Sequence, residues 1–335
     1  MPQPGMRWCG YTGGHINCPQ KLENFINFVD NIIYVAYVEK IKNPSGNINY
    51  YLTKTVRLGE DRFKKIRIPF TKRPTQKEIK AALEEIDKKY KSVAVEDFLS
   101  TKEIEAFEEV KDAYDSFIKS IPATVEEKTE QDFYIRFTYN TNAIEGNRLT
   151  LNQTKMILSD KRIPVGVEAQ EYNEVINGKD AFDLIKGYNG KLTINFLEKI
   201  NYEITKNTNV QFQGRIRVFP VFITNTEHKP PEAERVGPML LEGFKIANKK
   251  RHHVLVRAFM LHGLIAHVHP FEDGNGRTAR VLMNWFLIKH DYPKFYIPVD
   301  KRDKYYDALG FYDKGEYGQY CKAMFHLIMD QYKKK

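Results

Sequence analysis

Twelve consecutive residues, HPFEDGNGRTAR (His269–Arg280), gather an imidazole, two acids, two glycines flanking an asparagine, and two arginines. Their chemistry converges on an anion. Gly274 and Gly276 permit backbone conformations that turn successive N–H groups toward one point. A helix expected to start near Arg277 directs its N-terminal dipole there too. Arg277 and Arg280, three residues apart, share one helical face and can reach one ligand together. Asp273 offers the hard oxygen that Mg²⁺ prefers. His269 can exchange a proton near neutral pH, which makes it a candidate base. The set suits a polyphosphate and Mg²⁺ held beside a base. Phe271 reads as a core anchor. His267 and His269 form an H-x-H pair, but no third zinc ligand stands at a standard spacing, so His262 and His267 are expected to be satisfied core histidines.

The elements that position this loop are apolar nearly all round: RAFMLHGLIAHV (Arg257–Val268) before it and RVLMNWFLIKH (Arg280–His290) after it, as for central helices of a core. Pro270 should end the first helix near His269. Other helical patterns cover roughly 75–90, 100–120, 126–145, 150–160, 168–187, 193–206, 236–248 and 301–331. Thr75 and Glu78 have capping-box spacing. GRIRVFPVFITN (Gly214–Asn225) has strand composition, and Pro220 restricts it to an edge strand or a flap.

Toward the N-terminus, residues 1–30 are rich in Gly, Pro and polar residues and are expected to be poorly ordered. Ile32–Ile41, Tyr50–Leu58 and Arg62–Phe70 read as a three-stranded antiparallel meander, with a turn at Asn43–Asn47. The expected organisation is a small β-meander plus helix over 31–96 and a large helical domain over 97–335. The fold class is mainly α.

Lys plus Arg number 52 against 43 Asp plus Glu, a formal charge of +9. The meander carries Lys54, Arg57, Arg62, Lys64, Lys65, Arg67, Lys72 and Arg73 beside Tyr50, Tyr51 and Phe63. That pattern suits nucleic acid or, more simply, the solvated face of a small sheet. Three cysteines make no disulfide framework and no run is apolar enough to span a membrane, so a cytoplasmic protein is expected.

The loop resembles the Fic family signature, HPFx(D/E)GNGRxxR, at every specified position. The resemblance implies transfer of AMP from ATP to a Ser, Thr or Tyr hydroxyl of a target protein, which includes the enzyme itself in parts of the family. It implies His269 as general base, Asp273 as Mg²⁺ ligand, and Gly274, Asn275 and Gly276 around the phosphates. Arg277 would sit on the α/β side and Arg280 on the γ-phosphate. The related Doc branch transfers the γ-phosphate and has lysine where Gly276 stands, so Gly276 favours AMP transfer. TNAIEGNRLT (Thr141–Thr150) resembles the inhibitory motif (S/T)xxxE(G/N), with Thr141, Glu145 and Gly146 in register. That motif implies a helix ending near 146 whose Glu145 pairs with Arg280 and blocks the γ-phosphate. Some relatives with such a glutamate also remove AMP.

Gly214, Arg217, Val221, Ile223 and Pro230-Pro231 are similar to the family's β-hairpin flap (about 214–225), which docks the target by strand addition. The Glu174–Asn177 spacing resembles a further helix of the family fold. The resemblance spans roughly 130–320 and implies a Fic-type helical core with its flap, preceded by the small β module. It leaves that module's role and any homo-oligomerisation open. Two other functions compete: a nucleic-acid-associated regulator using the domain as a nucleotide sensor, and a binding-only domain, against which intact His269 and Asp273 argue.

Overall fold

The computed structural model describes residues 25–29, 32–42, 48–57, 63–94, 98–223, 226, 228–248 and 252–332. The expected disorder before residue 25, the turn at Asn43–Asn47 and the end of the flap at 224–225 lie outside them. The chain divides into two compact units, one up to Lys89 and one from Tyr90 to Lys335.

The first unit is an antiparallel sheet in the order β1 (Phe25–Val29), β2 (Ile32–Lys42), β3 (Ile48–Arg57), β4 (Phe63–Phe70). β1 was not expected from sequence. It adds a fourth strand to the meander through pairs such as Phe25↔Ala36. Val38, Leu52 and Ile68 stand opposite one another in register. They pack with Ile79, Ala82 and Leu83 of helix α1 (Gln76–Ala94). The Thr75–Glu78 capping box starts that helix: Thr75 N–H donates to Glu78 Oε2 at 2.8 Å, and Glu78 N–H donates to Thr75 Oγ1 at 3.3 Å. Arg67, one of the basic residues of the meander, pairs with Glu39 at 3.0 Å.

The second unit is helical: α2 (Thr101–Ser120), α3 (Ala123–Ile144), α4 (Leu151–Leu158), α5 (Ala169–Gly187), α6 (Ile194–Thr205), α7 (Ala233–Asn248), α8 (Val254–Val268), α9 (Asn275–Ile288), α10 (Arg302–Asp313) and α11 (Tyr317–Tyr332). The two apolar segments are indeed central. α8 packs on α7, α9, α10 and α11, while α9 packs on α3, α5, α6 and α8. Phe259, Leu261, Ile265, Leu282, Trp285 and Phe286 fill the space between them and their neighbours. The helix expected over 301–331 is two helices. Gly315 (φ +77°) ends α10 in a Schellman motif, with Glu316 N–H on Phe311 O and Gly315 N–H on Tyr312 O.

α3 ends the same way. Gly146 takes φ +101°, Asn147 N–H donates to Asn142 O and Gly146 N–H to Ala143 O, each at 3.1 Å. Only Gly, or less readily Asn, adopts this conformation cheaply, which is the physical content of the G/N position in the motif. It leaves Glu145 at the C-cap, where the helix dipole disfavours a negative charge unless a cation meets it.

Candidate active site

His269 is the C-cap of α8, in the left-handed region at φ +49°, ψ +61°. A non-glycine residue held there before a proline stores on the order of 1–3 kcal/mol of strain. The next turn is locked from both sides. Phe271 is fully buried in the core. Its N–H donates to Asn275 Oδ1 at 2.9 Å and its carbonyl accepts from Asn275 Nδ2 at 3.0 Å. Both ends of the Asn275 carboxamide are therefore committed to the loop backbone. The Asn275 side chain thus shapes the cradle, and its main-chain N–H in the first turn of α9 is the group left to meet a phosphate.

Gly274 is the N-cap of α9 at φ +73°, and a Cβ there would meet Thr205 Cγ2 at 2.9 Å. The first N–H groups of α9 have no acceptor within the helix. Asn201 steadies the approach: its Nδ2 donates to Asp273 O at 2.9 Å while its Oδ1 accepts from Gly214 N–H at 3.1 Å.

His269 Nδ1 lies 3.2 Å from Ala266 O. A carbonyl only accepts, so Nδ1 carries the proton and Nε2 keeps a lone pair. Burial lowers the pKa of the ring from its ordinary value, outweighing the Ala266 hydrogen bond and the Glu145 charge. The imidazole is thus neutral at pH 7 with a free basic nitrogen.

Arg280 is 2% exposed and nearly saturated. Its Nε donates to Thr141 Oγ1 at 2.8 Å, and its Nη2 donates to Thr141 O at 3.0 Å and to Glu145 Oε1 at 2.6 Å. Nη1 donates to Tyr305 Oη at 3.1 Å. A guanidinium has five N–H donors, so one is left, on Nη1. A phosphate could take an Nη1/Nη2 fork only if Glu145 released its half of it. Burial by itself would raise the Glu145 carboxyl, yet the charges of Arg280 and Arg277 hold it below the usual carboxylate range. Glu145 also presses on Gly276: a Cβ there would stand 2.4 Å from Glu145 Oε1.

Behind Arg280 runs a hydrogen-bond relay that sequence did not reveal. Tyr320 Oη donates to Phe259 O at 2.8 Å, so it accepts from His262 Nδ1 at 2.8 Å. His262 Nε2 then accepts from Tyr305 Oη at 3.0 Å. Burial drives the His262 pKa down to about 3 and pushes the Tyr305 phenol up to about 12, so both stay neutral.

Residues 191–287 match the model of the Fic/DOC family. That match takes in α6 to α8, the loop, and all but the last residue of α9. The chain is 31% identical over 216 residues to the protein adenylyltransferase fic-1 of Caenorhabditis elegans, covering 62% of this chain and 42% of that one. It is 29% identical over 240 residues to the protein adenylyltransferase Fic of Culex quinquefasciatus, covering 70% and 47%. The chain thus spans less than half the length of these curated relatives. Among solved structures, it is similar to Fic-1 (residues 134–508) of C. elegans at a TM-score of 0.59 and 25% identity, covering 76% of this chain and 75% of that one.

Arg277, inside the matched segment, is buried, with Nη2 3.1 Å from Asp273 Oδ2 and Nη1 3.5 Å from Glu174 Oε1. Its Nε is buried without a hydrogen-bond partner, a donor still available to an anion. Glu174 is held in turn by Asn147 Nδ2 at 2.8 Å. The Asp273 side chain is 53% exposed. One accessible carboxylate suits Mg²⁺, which keeps several waters and takes further oxygens from substrate phosphates.

The flap segment departs from expectation in two ways. Gly214–Ile223 forms no strand ladder among the described residues. Arg217, expected to dock a target, is 2% exposed. Its Nε donates to His269 O at 2.8 Å, its Nη1 to Phe219 O at 3.0 Å and its Nη2 to Pro231 O at 2.5 Å. Its own N–H donates to Pro270 O at 2.9 Å. Arg217 therefore fastens the flap to the loop and holds His269 in its strained conformation. The apolar side chains this segment presents to solvent are Val218 and Phe222, while Val221 and Ile223 are half-buried.

Proposed function

We propose that the chain is a Mg²⁺-dependent protein adenylyltransferase that carries its own brake. In the proposed step, a target Ser, Thr or Tyr oxygen attacks the α-phosphorus of ATP. The bond to the diphosphate oxygen breaks, and the hydroxyl proton passes to His269 Nε2. The observation that carries this is the neutral, Nδ1-anchored His269 beside the free N–H groups of α9 and the unpartnered Arg277 Nε. These donors are fixed before substrate arrives, which is how preorganised sites stabilise charge developing on phosphate oxygens. Asp273 would hold Mg²⁺, which neutralises phosphate charge when bound.

Glu145 restrains the reaction by occupying half of the Arg280 fork that the γ-phosphate would need. The same glutamate makes removal of AMP from a modified target a second activity of this site. Val221 and Ile223 remain the proposed docking edge, together with exposed Val218 and Phe222. Among the described residues no helix is long and apolar enough to cross a membrane. We assign the enzyme to the cytoplasm, in keeping with its few cysteines. A nucleic-acid-associated role is not favoured beside relatives named adenylyltransferases. Incubation with Mg²⁺ and ATP labelled at the α-phosphorus tests the proposal: label should enter protein and vanish with His269→Ala.

A further inference from the structure

His267, assigned from sequence to the core for want of a third ligand, has company in the last turn of α8, beside the end of α10. One ring nitrogen of His228, one of His267 and a carboxylate oxygen of Asp313 lie within 4.8 Å of one another. The three come from the segment between the flap and α7, the last turn of α8 and the last residue of α10. No sequence spacing could have joined them.

The tautomers make the cluster informative. His228 Nε2 lies 2.8 Å from His267 O. That oxygen only accepts, so Nε2 carries the proton and, in the neutral ring, Nδ1 is a bare lone pair. Nδ1 faces Asp313 Oδ1 at 3.6 Å, a lone pair against an anionic oxygen, an arrangement that calls for a positive species between them. His267 Nδ1 meets the same oxygen at 2.7 Å. The two rings lie 4.3 Å apart, tilted by 32°. All three side chains are partly shielded, at 10%, 26% and 22% exposure for His228, His267 and Asp313. Tetrahedral zinc with bonds of about 2.0 Å keeps its ligands roughly 3.3 Å apart, and the 3.6 Å and 2.7 Å separations to Asp313 Oδ1 lie on either side of that. The His228 Nε2–H bond to a main-chain oxygen is the outer-shell contact that orients a metal-bound imidazole.

We propose that His228, His267 and Asp313 form a second divalent-cation site, of Zn²⁺ character, separate from Asp273. Two imidazoles and one carboxylate select zinc-like ions over Mg²⁺, and water would complete the coordination. On binding, the His267 proton moves by way of water from Nδ1 to Nε2, so the neutral ring coordinates through Nδ1. The cation would fasten the chain just before Pro230 to the end of the helix that presents His269. This inference is independent of the transferase reading.

The test uses the full chain stripped with a chelator and titrated with Co²⁺, followed by Zn²⁺ competition against a chromophoric chelator. The expected result is one Zn²⁺ per chain and a Co²⁺ absorption band displaced by Zn²⁺ but not by excess Mg²⁺. His228→Ala and Asp313→Asn should each weaken binding at least about tenfold, while Asp273→Ala leaves it unchanged. In the wild type, Co²⁺ should selectively shift and broaden the ring NMR signals of His228 and His267, a reading that does not depend on any variant folding. Absence of stoichiometric binding, wild-type affinity in either ligand variant, or unperturbed ring signals would overturn the proposal and leave a hydrogen-bonded cluster.

Discussion

Arg217 Nε donates to the main-chain oxygen of His269 at 2.8 Å, tying a buried guanidinium to the residue with the most strained backbone in the catalytic loop. Arg217→Met keeps the bulk of the side chain but leaves several main-chain oxygens without a donor. It should lower stability by about 2–3 kcal/mol in urea unfolding. Because the strained His269 then relaxes, turnover should fall far more than the KM for ATP rises. Equal effects on both would assign Arg217 to substrate binding. Lysine should not rescue it, since an ammonium lacks the planar fork.

Tyr305 Oη joins Arg280 Nη1 to His262 Nε2 in the core. Tyr305→Phe removes one atom and strands a donor and an acceptor. The expected cost is about 1–3 kcal/mol of stability, together with weaker ATP binding in the Glu145→Gly background, where the proposed brake on Arg280 is absent. Calorimetric titration of ATP with Mg²⁺ checks the second part. Unchanged affinity would show that Arg280 is oriented without the relay.

Gly276→Ala separates two effects of opposite sign. A Cβ at 276 would stand 2.4 Å from Glu145 Oε1, so the carboxylate must shift, which should cost about 1–3 kcal/mol. In Glu145→Gly that clash is gone, and alanine should gain up to about 1 kcal/mol from helix propensity. A double-mutant cycle by denaturant unfolding should therefore change sign at position 276. Additivity would mean that Glu145 does not rest against this glycine in solution.

The pH dependence follows from the lowered pKa of His269. As the proposed base, His269 works when deprotonated, so a lowered value extends the active range below pH 6.5, the ordinary histidine value. Single-turnover rates of Glu145→Gly should reach half of their plateau only below pH 6.5. The Glu145 carboxyl is also held low, so mild acid does not release the brake in the wild type. A rate that halves near pH 6.5 or above would contradict the buried, neutral imidazole.

What sequence conveyed depended on how far apart the participating residues lie. The loop was legible because His269, Asp273, Arg277 and Arg280 are neighbours on one turn and one helix face. Glu145 lies 135 residues from Arg280 and could be connected to it only through a resemblance. Gly146, Gly274 and Gly315 mark turns whose positive φ angles glycine signals locally. Residue type misled where a side chain had two plausible employers. Arg217 is a polar residue at a polar site, yet main-chain groups occupy its guanidinium. Tyr305, His228 and Asp313 carried no local signal at all, because the packing of α8 against α10 and the segment after the flap alone brings them to their partners.

The most direct test of the brake and the chemistry together compares wild type, Glu145→Gly and Glu145→Gly/His269→Ala with Mg²⁺ and ATP labelled at the α- or γ-phosphorus, with and without a host lysate. The expected result is α-label entering protein strongly in Glu145→Gly, at least tenfold less in the wild type, and none in the double variant. A tenfold difference corresponds to about 1.4 kcal/mol in the competition for Arg280. Incorporation of γ-label alone would mean kinase-like transfer. Equal α-labelling in wild type and Glu145→Gly would contradict the brake, and labelling that survives His269→Ala would remove His269 as the base.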